Sequence, residues 1–317
     1  MRKVAIGLDI GGTDIKAGIV DVSGKIIASH SGPTQNNTDR KTVLANVTNI
    51  LDTLLKQAKM KSSDIQGIGV GTPGLVDSKG LVLTGVWNIK GWNGTPIGDF
   101  LRKKYKTVVI VENDVTALAL GESCFGNGKG YDNIIVLAFG TGLGGGIIIN
   151  KDVYRGHSGY AGEFGHTIVN GEKDAPFCTC GARGCIETYA STVGIKRMLK
   201  EAKGVKTVLN QDSMPRDVYE AAQNGDKLAL KIVDEVGYRL GISMASFVNL
   251  FDPAAVILGG GIANAGPIFY KSFQKSYFER VLAHYKKNKV KFLPTKLGRE
   301  GGIVGTASLI LHKKGLI

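Results

Sequence analysis

The stretch Val4-Ala5-Ile6-Gly7-Leu8-Asp9-Ile10-Gly11-Gly12-Thr13 decides the fold. Val4 to Asp9 is an apolar strand pattern that ends in an acid. Gly11-Gly12-Thr13 turns the chain, and Ile15 to Val20 resumes as a strand, so the segment reads as a hairpin joined through glycine. Lys25 to Ser29 adds a third strand. The same order returns about 130 residues later: Ile134 to Phe139 is apolar, Gly140-Thr141-Gly142 turns, and Gly144-Gly145-Gly146 leads into Ile147-Ile148-Ile149. A strand, a Gly/Thr turn and a strand occurring twice predict two related α/β halves. The recurrence puts the boundary between them near residues 115–125.

The segments between fit that reading. Val43, Val47, Ile50, Leu51, Leu54 and Leu55 have the spacing of one helix face over 42–58. Ile65 to Val70 and Val108 to Val111 read as buried strands. The first is broken by Gly71-Thr72-Pro73-Gly74, and the second ends at Glu112-Asn113-Asp114, where a helix begins. Helical patterns follow at 192–202, 215–224, 227–250 and 268–283. Ala255 to Leu258 is a strand that runs into Gly259-Gly260-Gly261, and Ile303 to His312 is a short helix. Residues 151–188 lack periodicity, and long irregular segments inside compact domains are usually functional. The chain has 317 residues, more than one hydrophobic core usually serves, so two domains are expected.

The glycines carry the first chemical signal. There are 45, about twice the average usage of roughly 7%, and they cluster between apolar runs. Phosphates need backbone N–H groups at close approach, which glycine permits. The two Gly/Thr turns, Gly11-Gly12-Thr13 and Gly140-Thr141-Gly142-Leu143-Gly144-Gly145, point to a nucleotide site. They lead from strand to strand, unlike a dinucleotide fingerprint, and no Gly-Lys-Ser/Thr follows as in a P-loop. Asp9 at the strand end suits a Mg²⁺ ion, which takes a carboxylate together with phosphates. Asp114 has two readings. Local sequence favours it as the cap of the following helix; the chemical reading is a general base for a hydroxyl attacking a γ-phosphate, with Asn113 beside it for sugar hydroxyls.

The cysteines give a sharper signal. Cys178, Cys180 and Cys185 lie within eight residues, and His166 precedes them. Three thiolates and one imidazole make the closed tetrahedral set of a structural Zn²⁺, which would stiffen the irregular loop without activating water. Glu163 and Glu187 flank the set and are placed to read hydroxyls. Cys124 stands alone and reads as a small buried hydrophobe.

Asp9-Ile-Gly-Gly-Thr13, Glu112-Asn-Asp114, Gly140-Thr-Gly-Leu-Gly-Gly145, Glu163-Phe-Gly-His166 and Cys178-Thr-Cys-Gly-Ala-Arg-Gly-Cys-Ile-Glu187 stand in the order that the ROK family of repressors, open reading frames and sugar kinases shows. The resemblance covers residues 4 to about 310. It implies a hexokinase/actin-like (ribonuclease H-like) fold with two α/β domains around a cleft. The last helix would return to the first domain, giving a small domain of 1–118 with 303–317 and a large domain of 119–302. It implies ATP-Mg²⁺ as phosphate donor and a hexose 6-hydroxyl as acceptor. Asp114 would be the base, and Gly74, Asn113, Glu163, His166 and Glu187 the sugar contacts. Gly259, Gly260 and Gly261 would lie near the adenosine, and a homo-oligomer is the usual state. Among members it looks most like those acting on glucose. Kinases for N-acetylmannosamine, N-acetylglucosamine or fructose share much the same motif residues. One departure is Asp14, where Lys or Asn is commoner, which bears on nucleotide preference. A sugar-sensing repressor would carry a helix-turn-helix before the first glycine turn, and an actin-like filament protein would not need the cysteine knot.

Charge adds little. The net charge is +13, with a local run at Lys286, Lys287, Lys289 and Lys291. No aromatic interleaving or nucleic-acid module accompanies it, so it reads as solvated surface and no nucleic-acid partner is expected. No apolar stretch is long enough to span a membrane. The basic start Met1-Arg2-Lys3 mimics a leader, but Asp9 interrupts the apolar run, so a cytoplasmic protein is expected.

Overall fold

In the computed structural model, residues 3–86, 88–202 and 204–317 are described; Met1 and Arg2 of the basic start lie outside them. The strands, in chain order, are β1 (Val4–Ile10), β2 (Asp14–Asp21), β3 (Ile26–Pro33), β4 (Ile68–Thr72), β5 (Leu75–Val76), β6 (Val82–Thr84), β7 (Val109–Asn113), β8 (Ile134–Phe139), β9 (Leu143–Ile149), β10 (Asp152–Val153), β11 (Ala255–Gly260) and β12 (Lys291–Pro294). The α-helices are α1 (Arg40–Gln57), α2 (Ile97–Tyr105), α3 (Asp114–Phe125), α4 (Glu187–Ala190), α5 (Thr192–Glu201), α6 (Pro215–Gln223), α7 (Lys227–Phe251), α8 (Gly266–Arg280), α9 (Ala283–Lys287) and α10 (Gly301–Lys313).

The chain divides into two compact units. One comprises 1–132, 146–162 and 295–317, the other 133–145 and 163–294. These bounds differ from the sequence-based 1–118 with 303–317 and 119–302. Helix α3 stays with the first unit because it packs along α10: a Cβ on Gly121 would lie 2.7 Å from Gly305 Cα. In this division β9 itself passes from one unit to the other, between Gly145 and Gly146.

In the first unit the sheet order is β3-β2-β1-β4-β7. β1 and β2 pair antiparallel, β2 and β3 likewise, while β1, β4 and β7 run parallel. β1 and β4 are buried almost throughout, as continuous apolar runs require of central strands. On one face lies α1, capped by Asp39, and the six apolar residues that predict it are the six it buries. On the other lies α10. Glycine lets that helix touch the sheet backbone: a Cβ on Gly7 would strike the Ile303 carbonyl, and one on Gly69 the Thr306 carbonyl.

The second five-stranded sheet has the order β10-β9-β8-β11-β12, with β8, β11 and β12 parallel. Numbered from its own first strand, each sheet reads 3-2-1-4-5, so the twofold repeat extends from the hairpin to the whole sheet. In the second unit α7 packs against α8, where a Cβ on Gly237 would lie 2.9 Å from Ser272 Cβ and one on Gly241 2.5 Å from Ser276 Cβ. Lys286, Lys287, Lys289 and Lys291 are all exposed. Cys124 is only partly buried, and that burial pushes its thiol up to about 11. Among the described residues no helix is long and apolar enough to cross a membrane.

Candidate active site and metal centre

In the first unit, β1 ends beside the glycine turn and β7 ends at α3. Asp9 pairs across the hairpin with Lys16. Burial first, and then the charge of Asp114, together push the Asp9 carboxyl up to about 6 against the pull of Lys16. Asp114 is raised as well, by burial foremost, although backbone N–H groups work in the opposite direction. Two carboxyls thus share one poorly hydrated region, and both are held toward the protonated form when no cation is bound.

The helix cap falls to Asn113 and not to Asp114, which corrects the reading favoured by local sequence. Asn113 Oδ1 accepts from Val115 N at 3.0 Å and from Thr116 N at 3.2 Å. Asp114 Oδ1 accepts from the Val115 N–H beside it, at 2.9 Å, while the cap bonds of α3 run to Asn113. Asn113 Nδ2 donates to the Gly74 carbonyl at 3.3 Å. Asn113, Asp114 and Gly74 are therefore brought together, and one Asn113 amide hydrogen remains for a ligand. Glu112, nearly buried, accepts from Arg155 Nε at 2.7 Å and from the Asn113 N–H at 3.0 Å, which fixes the end of β7.

In the second unit, His166, Cys178, Cys180 and Cys185 present four ligand atoms within 4.8 Å of one another. His166 Nδ1 lies 3.6 Å from Cys178 Sγ, and Cys180 Sγ lies 3.6 Å from Cys185 Sγ. A tetrahedron with a metal–sulfur bond of about 2.3 Å has edges of about 3.8 Å, so the set fits one ion. The backbone wraps it: Cys178 N donates to Ala182 O at 2.8 Å, and Gly184 N to Pro176 O at 2.9 Å. His166 turns its other nitrogen, Nε2, toward Glu163 Oε2 at 3.7 Å. Glu187 borders the set as well, with Oε1 4.0 Å from Cys178 Sγ and Oε2 accepting from the Leu143 N–H at 2.9 Å. Glu163, His166 and Glu187 are thus gathered around one knot, and Glu187 reaches the second glycine turn.

That turn is braced by α5, whose first N–H groups, on Thr192 and Val193, donate to the Gly140 and Thr141 carbonyls. Beside it lies a cavity of about 220 Å³ that brings Gly140 and Gly261 together. Its apolar walls are Phe139, Ile195, Met214, Tyr219 and Ile262, with Arg216 among them. Burial raises the Tyr219 phenol above its usual range. The sequence reading missed Met214, Arg216 and Tyr219, because α6 lies about 70 residues beyond the turn it faces. It also missed Lys16, which the hairpin register would have placed opposite Asp9.

The ROK family model matches residues 5–313. The chain is 35% identical over 317 residues to a glucokinase of Halalkalibacterium halodurans, covering 98% of this chain and 95% of that one. It is 31% identical to the xylose repressor of Bacillus subtilis, covering 97% of this chain and 77% of the repressor. Among solved structures it resembles a ROK family glucokinase from Streptomyces griseus in complex with glucose and AMPPNP. There the TM-score is 0.76, the identity 32% and the coverage 96% of this chain and 98% of that one. With its motifs, its paired 3-2-1-4-5 sheets and this match along almost its whole length, the chain belongs to the ROK family and has its hexokinase/actin-like fold.

Proposed function

We propose that this protein is a kinase that transfers the γ-phosphoryl group of ATP to the 6-hydroxyl of a hexose, with glucose preferred. The observation that carries the reading is Asp114: a carboxyl freed from capping, raised by burial, and held by a strand end beside the Asn113 amide. Asp114 would take the hydroxyl proton and aim the oxygen. The Gly11-Gly12-Thr13 and Gly140–Gly145 turns would offer N–H groups to the phosphates, and the cavity beside Gly261 has the apolar walls an adenine ring requires. Asp9 would hold Mg²⁺, which supplies positive charge to the phosphates when bound.

The sugar side rests on Glu163, His166, Glu187, Asn113 and Gly74. Carboxylates accept strongly from hydroxyls, so this set suits an unmodified hexose. Zn²⁺ held by His166, Cys178, Cys180 and Cys185 would be structural, because four protein ligands leave no open position. A homo-oligomer in the cytoplasm is the state expected of such a kinase.

The test is kcat/KM at saturating ATP-Mg²⁺ for glucose, mannose, fructose, N-acetylmannosamine and N-acetylglucosamine. Glucose should rank first, with mannose slower. A higher value for an N-acetyl sugar would overturn the glucose assignment, and no transfer to any of the five would overturn the kinase reading.

A further inference from the structure

The first glycine turn meets a side chain from outside itself. A Cβ on Gly12 would lie 2.6 Å from Asn88 Nδ2 and 3.3 Å from Asn88 Cγ, so glycine is what admits the Asn88 amide there. Asn88 is exposed, yet its loop is pinned through the backbone. Asn36 Nδ2 donates to Asn88 O at 3.0 Å, and Lys90 N donates to Asn36 O at 2.9 Å. Two residues before Asn36, the buried Thr34 holds the turn itself: its N–H donates to Thr13 O at 2.8 Å and its Oγ1 to Gly11 O at 2.7 Å. One short segment, Thr34 to Asn36, thereby sets the Asn88 loop against the glycine turn. Among the described residues the Gly12 N–H, the Thr13 N–H and Asn88 Nδ2 have no protein acceptor. An anion with several acceptor oxygens is the ligand that uses such a set.

We infer that the Asn88 side-chain amide donates to the phosphoryl group in transfer, completing from a second loop the donor set begun by the Gly12 and Thr13 N–H groups. The inference rests on the kinase reading. In the step concerned, the sugar 6-oxygen bonds to the γ-phosphorus as the bond from that phosphorus to the β–γ bridging oxygen breaks. The hydroxyl proton passes to Asp114, and ADP leaves with the electron pair of the broken bond. Asn88 makes no covalent bond. Its N–H dipole stabilises charge on a non-bridging oxygen, and its preset position means that little reorganisation is needed as that charge develops.

The experiment compares wild type with Asn88→Ala and Asn88→Asp in steady-state kinetics with glucose and ATP-Mg²⁺, and by calorimetric titration with AMPPNP-Mg²⁺ and with glucose separately. Loss of one such donor should lower kcat by about 10²-fold in Asn88→Ala, and further in Asn88→Asp, whose carboxylate repels the phosphoryl group. AMPPNP should bind about tenfold more weakly, with glucose affinity within about threefold of wild type. Asn88→Asp is nearly isosteric and carries the test if the alanine variant fails to fold. Wild-type kcat and AMPPNP affinity in both variants would overturn the inference. So would weakened glucose binding with unchanged AMPPNP binding, which would make Asn88 a sugar reader. If wild type phosphorylates no hexose, the kinase reading fails by itself, and the AMPPNP comparison still decides Asn88: weaker binding supports it and unchanged binding refutes it.

Discussion

Glu187 Oε2 accepts a hydrogen bond from the Leu143 backbone N–H at 2.9 Å, so the carboxylate beside the cysteine knot also holds the second glycine turn. Damage to the knot should therefore reach the nucleotide as well as the sugar. Protein purified without added zinc should contain one zinc per chain by elemental analysis. Cys180→Ser should lose it, with kcat/KM down at least about tenfold and KM raised for both ATP and glucose. A zinc-free variant with both KM values unchanged would separate the knot from the turn.

Asp114→Asn should lower kcat by at least about 10²-fold, since the amide cannot accept the proton. Because Asn113 caps α3, the melting temperature should stay close to that of wild type. A large drop in melting temperature with near-normal kcat would return Asp114 to a structural role.

Asn113 divides the same question differently. Asn113→Ala removes the cap and should cost about 1 kcal/mol of stability. Asn113→Asp keeps an acceptor for the Val115 and Thr116 N–H groups but loses the donor to the Gly74 carbonyl. It should hold its stability in denaturant titration while the glucose KM rises. Equal glucose KM values in wild type and Asn113→Asp would remove Asn113 from the sugar site.

Asp9 should show its burial in the pH dependence of stability. Its folded pKa, about 6, lies above the ordinary 3.8, so the folded state holds the proton more tightly. The associated stability is present below about pH 4 and lost as pH rises through about 6. Asp9→Asn should therefore be more stable than wild type at pH 7 relative to pH 4, by up to about 3 kcal/mol in ligand-free protein. Urea titrations at the two pH values measure the difference. Equal differences would show that the carboxylate is well solvated.

The parts of this architecture that were legible in the sequence are those written in consecutive residues. Gly11-Gly12-Thr13 and Gly140-Thr141-Gly142 announce their hairpins because glycine and apolar periodicity are local signals. The helix at 42–58 is read from its six buried residues, and the cysteine spacing places three of four metal-set residues in one loop. What stayed hidden depends on residues distant in sequence. Whether Asn113 or Asp114 caps α3 is settled by backbone angles that both residue types tolerate. Met214 and Tyr219 reach Gly261 only through the packing of α6. Thr34, Asn36 and Asn88 have no pattern of their own and acquire meaning only where three loops meet over Gly12.

The close seating of α10 on Gly7 and Gly69 bears on how the polypeptide is made. The ribosome releases the first sheet early, yet the helix that covers one of its faces is translated only after the second unit. At about 5–20 residues per second, the interval between Asp132 and Thr295 lasts roughly 8–30 s. Throughout that time β1 and β4 present an uncovered, glycine-bearing apolar face to solvent or to a chaperone. The first unit therefore cannot mature ahead of the second, and nascent chains stalled before Gly301 should be bound by holdases or degraded.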